Sequence, residues 1–211
     1  MMHKEWIDRW HDGRIGFHQP KVNEYLAKYV SEFDVVEAPS IFVPLCGKSG
    51  DMLFLAKQGY TVTGVELVQK AIDEFQSENH TKATNITTVG AHTKYDFPSL
   101  TLWQGDIFEL ANTEFKQGKT HIYDRAALIA LPSDLRDKYA QKMIEMLDGV
   151  MLLVTLEYLE GARKGPPFNV NKEEVFALFG DDCTIDILED NDLSAKTNTC
   201  EKVYLLRKKT S

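Results

Sequence analysis

The chain predicts a doubly wound α/β fold on a mostly parallel sheet, and two observations carry that expectation. From residue 40 onward, apolar runs of strand length alternate with segments of helical periodicity, the order produced by parallel strands joined by crossover helices. The run VMLLVTL at 150–156 shows no polar alternation, as a strand covered by helices on both faces requires.

The elements follow in order. Residues 4–30 hold two short amphipathic stretches, EWIDRW and KVNEYLAKYV, separated by HDGRIGFHQP, where Gly13, Gly16 and Pro20 break regular structure. Strands are expected near 41–45, 61–66, 100–104, 121–124 and 150–157, with helices near 50–58, 69–78, 134–147 and 172–179. The end differs: CTIDILED and CEKVYLLRKK, joined by the polar NDLSAKTNT, read as a closing hairpin. With 211 residues, 43% of them hydrophobic, the chain suits one well-buried domain over 1–211. Within it, 1–30 forms an N-terminal helical segment and 40–211 the α/β core.

Composition narrows the function. With 24 Lys+Arg against 32 Asp+Glu the net charge is −8, so a broad basic surface for nucleic acid or anionic lipid is not expected. Arg207-Lys208-Lys209 reads as a solvated ending. No apolar run approaches the roughly 20 residues that span a bilayer, and Met1-Met2-His3-Lys4 leads into no signal-type core, so the expectation is a cytoplasmic protein. Cys46, Cys183 and Cys200 are too scattered for a disulfide framework or a metal knuckle. Six histidines show no metal-protease spacing, so no metal is expected.

The informative stretch is FVPLCGKSGDMLFLAKQG, a strand, a glycine-bearing turn and a helix, with Gly47-Lys48-Ser49 placed as in a phosphate loop. That loop needs an earlier glycine where this chain has Phe42. A dinucleotide fingerprint fares better, with Gly47 and Gly50 present and Leu45 in place of the first glycine. Nineteen positions after Gly47, at the end of TVTGVE, stands Glu66, where a β-α-β unit places a carboxylate against ribose hydroxyls. Turn and acid together favour an adenosine-type ligand. Cys46 reads either as a catalytic thiol or as a small residue beneath the turn. Open α/β sheets bind ligands beyond the carboxyl ends of their strands, so the loops to inspect are Leu45–Gly50, Glu66–Val68, Gly105–Phe108, Asp124–Ala127 and Glu157–Phe168. At this level a nicotinamide oxidoreductase and a non-catalytic adenosine-binding module remain open, while Phe42 disfavours a nucleotide kinase.

GRIGFHQ, VPLCGKSGDMLFLAKQGYTVTGVEL, IYDRAAL and GPPF, in that order and over nearly the whole chain, resemble the thiopurine S-methyltransferase family, bacterial branch. The resemblance implies a seven-stranded sheet with an antiparallel final strand and S-adenosylmethionine as cofactor; Trp6 and Trp10 at i, i+4 beside the loop Gly13–Gly16 suggest an N-terminal lid, and a monomer is expected. The resemblance also explains the incomplete fingerprints, because that cofactor has no phosphate. Carried over by residue, it implies Trp10 and Leu45 at the cofactor's methionine half and the turn, Glu66 at the ribose, Asp106 and Ile107 at the adenine, and Arg125 where cofactor and acceptor meet. Phe17, His18, Arg125 and Phe168 would line the acceptor pocket. Arg125 would stabilise a thiolate, and His18 is the candidate proton acceptor. The implied acceptors are small heteroaromatic thiols such as thiopurines, with selenium or tellurium species, aliphatic thiols and halide as alternatives. Mammalian members carry a longer segment before the final strand with a second arginine, whereas EDNDLSAKTNTCEKV contains none.

Overall fold

A computed structural model of the protein describes residues 2–33, 39–114, 119–159, 161, 163–192 and 198–209. The chain divides into two compact units, Met1–Lys119 and Thr120–Ser211.

The first unit opens with α1 (Met2–His11) and α2 (Glu24–Tyr29). Asn23 caps α2 with its side-chain oxygen, which accepts from the Tyr25 and Leu26 N–H groups. Then come β1 (Ser40–Val43), α3 (Asp51–Lys57), β2 (Thr61–Glu66), α4 (Gln69–Glu78), β3 (Asn85–Val89), β4 (His92–Asp96) and β5 (Leu100–Gln104). The strand order is β3-β4-β5-β2-β1. β1 and β5 flank β2 in parallel, with Ser40 opposite Thr61 and Glu66 opposite Gln104, so these three strands end on the same edge. Their inner residues Ile41, Val62 and Leu102 are fully buried, as are Met52 and Leu55 of α3 and Ala71, Ile72 and Phe75 of α4. Each such side chain contributes about 1.5–3 kcal/mol through burial.

The second unit contains β6 (Thr120–Arg125), α5 (Ser133–Met146), β7 (Val150–Tyr158), α6 (Lys172–Phe179), β8 (Cys183–Asp190) and β9 (Thr199–Lys208), with strand order β6-β7-β9-β8. β6 and β7 are parallel, while β9 runs antiparallel to both β7 and β8, in agreement with the expected antiparallel final strand. Val150 to Thr155 are all buried.

The strand count needs correction. Nine strands are present among the described residues instead of seven, because β3 and β4 form an antiparallel hairpin around Gly90-Ala91. All five residues of β3 are exposed, so NITTV has no buried face to create an apolar stripe. Positions 160 and 162 of the loop after β7, and 193–197 of the polar segment before β9, lie outside the described residues. Among the described residues no helix is long and apolar enough to cross a membrane, and no group of three or more His, Cys, Asp or Glu could hold a metal ion.

Candidate functional site

Three loops of the first unit converge beyond the ends of β1, β2 and β5. The turn after β1 is laid against β2 by a hydrogen bond from the Cys46 N–H to the Val65 carbonyl (2.9 Å). The Gly47 N–H donates to Glu66 Oε2 (2.9 Å) and the Val68 N–H to Oε1 (2.7 Å). From the other side, the Gly105 N–H donates to the Glu66 carbonyl (2.9 Å). Glu66 therefore ties together the three expected loops that belong to the first unit.

The turn's backbone explains its sequence. Leu45 takes a φ of 43° and Gly47 one of 55°. Leu45 thus adopts the left-handed conformation that the first glycine of a dinucleotide fingerprint would supply, at a cost of about 1–3 kcal/mol. At Gly47 an added Cβ would lie 3.4 Å from Trp10 Cζ2 and 3.9 Å from Phe17 Cε2, ordinary contact, so it is the left-handed φ that favours glycine there.

Glu66 is only 6% exposed. Burial pushes its carboxyl up to about 7, against the opposing pull of the Val68, Gly47 and Leu67 N–H groups. A carboxylate has about four acceptor positions, so the Gly47 and Val68 bonds leave room on both oxygens for a vicinal diol. Cys46 is buried beneath the turn, and burial, with Glu66 nearby, raises its thiol well above the usual range. It is the filler beneath the glycines, since a nucleophilic cysteine needs the thiolate.

Asp106 follows β5, its Oδ1 accepting from the Phe108 N–H (2.9 Å) and its Oδ2 lying 3.0 Å from His3 Nε2. Ile107 beside it is buried. Sequence reasoning missed His92, a buried residue whose Nε2 lies 2.9 Å from the Asp106 carbonyl oxygen. Because a carbonyl only accepts, that nitrogen carries the proton. Gly105 makes room for the ring: at its φ of 146°, a Cβ would stand 2.2 Å from His92 Cδ2.

The N-terminal segment packs on the same turn. Trp10 is buried with Val68 and Ala71, joined by Trp6, Ile15, Phe17 and Leu67. Phe17 meets Trp6 and Trp10 edge to face, at centroid distances of 5.7 and 5.8 Å. His18 Nε2 lies 3.7 Å from Glu78 Oε2. Lys48, the would-be phosphate lysine, is buried, and its ammonium donates to Glu74 Oε2 (2.7 Å) and Glu78 Oε1 (2.6 Å) on α4. Its charge is thus spent on carboxylates of the same unit. Neither pairing left a signal in the sequence beyond helical spacing of Glu74 and Glu78.

Arg125 and Phe168 belong to the second unit. Arg125 ends β6, half-buried, and the next residue, Ala126, has a φ of 75°. Its neighbour Asp124 is fully buried and accepts from the Ala127 and Leu128 N–H groups and from the Tyr139 hydroxyl (2.6 Å). Burial raises its carboxyl to about 6 despite these donors, with Tyr139 the strongest of them. Phe168 is fixed by its N–H, which donates to the Ile129 carbonyl (2.7 Å), and by Arg136, whose guanidinium lies 5.7 Å from the ring centroid. Arg136 is itself buried and held by the Leu131 and Asn169 carbonyls and by Glu174. It is a second arginine that sequence reasoning did not find.

Comparison with known proteins shows what the chain is similar to. The family profile described as "Thiopurine S-methyltransferase (TPMT)" matches residues 1–210. A protein named "Thiopurine S-methyltransferase" from Shewanella baltica is 42% identical, covering 97% of this chain and 98% of its own. One of the same name from Pseudomonas fluorescens is 43% identical over 96% and 97% of the two chains. Among solved structures, a SAM-dependent methyltransferase from Anabaena variabilis superposes with a TM-score of 0.62 at 15% identity, covering 99% of this chain and 96% of that one. A Burkholderia thailandensis 1,6-didemethyltoxoflavin-N1-methyltransferase, solved with S-adenosylhomocysteine, gives a TM-score of 0.64 at 15% identity, covering 99% and 88%. At such identities these likenesses establish the fold.

Proposed function

Since the chain belongs to the thiopurine S-methyltransferase family and is an S-adenosylmethionine-dependent methyltransferase, we propose that its acceptors are small heteroaromatic thiols and that the three loops around Glu66 seat the cofactor. The observation that carries the seat is Glu66 itself, a buried carboxylate with acceptor capacity left over, at the end of the second parallel strand. A vicinal diol offers two donors, which such a group needs. Asp106 and Ile107 would take the adenine, and Leu45 with Trp10 the methionine half. The same observations weigh against a phosphate-bearing ligand, because Lys48 is already paired with Glu74 and Glu78.

When bound, S-adenosylmethionine would supply an electrophilic methyl, to which the acceptor thiolate would form its S–C bond as the methyl–sulfonium bond breaks and S-adenosylhomocysteine leaves. The residues' task is alignment and charge, and positioning two reactants can supply about 7–11 kcal/mol of barrier reduction. In this reading Arg125 favours the thiolate form of the acceptor, because a nearby cation stabilises an anion. Phe168, held rigidly by Arg136 and the Ile129 carbonyl, offers a flat apolar face to an aromatic acceptor, and Phe17 does the same from the N-terminal segment. His18 is the candidate proton acceptor. Selenium or tellurium species, aliphatic thiols and halide are the alternatives.

The test offers 6-mercaptopurine, its phenolic analogue, an aliphatic thiol and iodide at equal concentration to wild type and Arg125→Ala, and measures methylated product. The aromatic thiol is expected to lead, with its advantage shrinking in the variant. Faster turnover of the phenol or iodide would overturn the acceptor class while leaving the methyltransferase assignment intact.

A further inference from the structure

Lys48 is a lysine within the proposed cofactor turn whose charge is paired with carboxylates of α4. Its ammonium is 6% exposed and bridges Glu74 and Glu78, one helical turn apart on α4. Burial alone would lower its proton affinity, but the hydrogen bonds it donates to the two carboxylates outweigh that and hold the ammonium charged. Glu74 spends its other oxygen on Lys70, whereas the other oxygen of Glu78 faces His18 at 3.7 Å. The residue before Lys48 is Gly47, against which Trp10 and Phe17 pack. Two consecutive residues of the turn are thus matched to two consecutive residues of the N-terminal segment: Gly47 to Phe17 by ring contact, and Lys48 to His18 through Glu78. A second anchor closes the arrangement, the Asn23 N–H donating to Asp51 Oδ1 (2.9 Å) at the start of α3.

We propose that Lys48 is a positioning residue which, through Glu78 and His18, locks the N-terminal segment to the Leu45–Gly50 turn, so that cofactor seating and ordering of that segment are one coupled event. The proposal rests on the seat assigned above. Lys48 acts without touching the cofactor: it holds the turn whose Gly47 N–H orients Glu66, and it holds the carboxylate that faces His18. Removing it should weaken cofactor binding, because the seat is complete only while turn and segment are held together, and should lower kcat as well, because the released segment carries Phe17 and His18.

The test measures S-adenosylhomocysteine affinity by calorimetry, kcat at saturating S-adenosylmethionine, and thermal melting, for wild type, Lys48→Met, Lys48→Arg, Glu78→Gln, the Lys48→Met/Glu78→Gln double variant and Glu66→Ala. Lys48→Met is expected to weaken binding on the order of tenfold, within the range for residues that couple two sites, with a smaller fall in kcat. Lys48→Arg should restore most of the affinity. Glu78→Gln should weaken binding in the same direction, and the double variant should fall short of the sum of the two, as members of one network do. Glu78 has a side chain 46% exposed, so its substitution keeps the test alive if Lys48→Met fails to fold. Unchanged affinity in Lys48→Met or, should that variant not fold, in Glu78→Gln, or full additivity of the pair, overturns the lock if Glu66→Ala still loses binding. If Glu66→Ala also binds normally, the seat is wrong and the lock falls with it.

Discussion

Glu66, with its carboxyl near 7, sits at the midpoint of its titration at neutral pH, and its two protonation states serve different ends. Its folded value stands above the ordinary 4.5, so the protonated form stabilises the fold fully below about 4.5, and that contribution is lost as pH climbs through 7. A diol that donates to the carboxylate has the opposite preference and selects the anion. S-adenosylhomocysteine should therefore bind more tightly as pH rises from 5.5 to 7.5, by up to about tenfold per pH unit at the steep end, and level off above. Glu66→Gln should bind more weakly and show a flat profile, and calorimetry across that range checks both; an unaltered slope in the variant removes Glu66 from the ribose. Asp106→Ala is expected to cost less, since an exposed adenine edge can be rehydrated, but discrimination between adenosine and inosine forms of the ligand should fall. Equal discrimination would take Asp106 out of the site.

The N-terminal segment is the element proposed to respond to ligand. α1 contributes one fully covered side chain, Trp10, while most of its other described residues remain exposed or half-exposed, so little apolar area holds the helix down. Segments with so few buried contacts open at low free-energy cost, and lids over ligands are drawn from them. S-adenosylhomocysteine should slow hydrogen exchange in residues 4–20; equal rates with and without it would refute the lid. Elements differed in how plainly they could be read. β2, β5 and β7 and helices α4 and α6 fell at or within a residue of their expected bounds, because burial on a defined face writes a period into the chain. β3 and β4 were not expected: β3 is exposed along its whole length, held by its neighbour's hydrogen bonds, and carries no such period, while β4 buries only His92 and Tyr95, three positions apart, which is no strand alternation.

For the molecule as a whole, a ligand that binds only the folded chain must raise its melting temperature. At a hundredfold excess over Kd the stabilisation is about 2.7 kcal/mol, which for a chain of this size corresponds to a rise of roughly 5–10 °C. A scan with S-adenosylhomocysteine, ATP and NAD in turn should show that rise with the first alone, and an equal rise with NAD would reopen the dinucleotide reading. The alternation of strands and helices, the glycine turn followed by Glu66, and the ordered motifs from GRIGFHQ to GPPF were legible from residue order, because each depends on neighbours a few positions apart or on a fixed β-α-β spacing. The partners of the charged side chains were not. Lys48 with Glu78, separated by 30 positions, Arg136 with Glu174, separated by 38, and His92 beneath Asp106 are set by which elements pack together. An ammonium or imidazole reads the same in a sequence whether it faces a ligand or a carboxylate, and only folding, by burying one and pairing it, settles which.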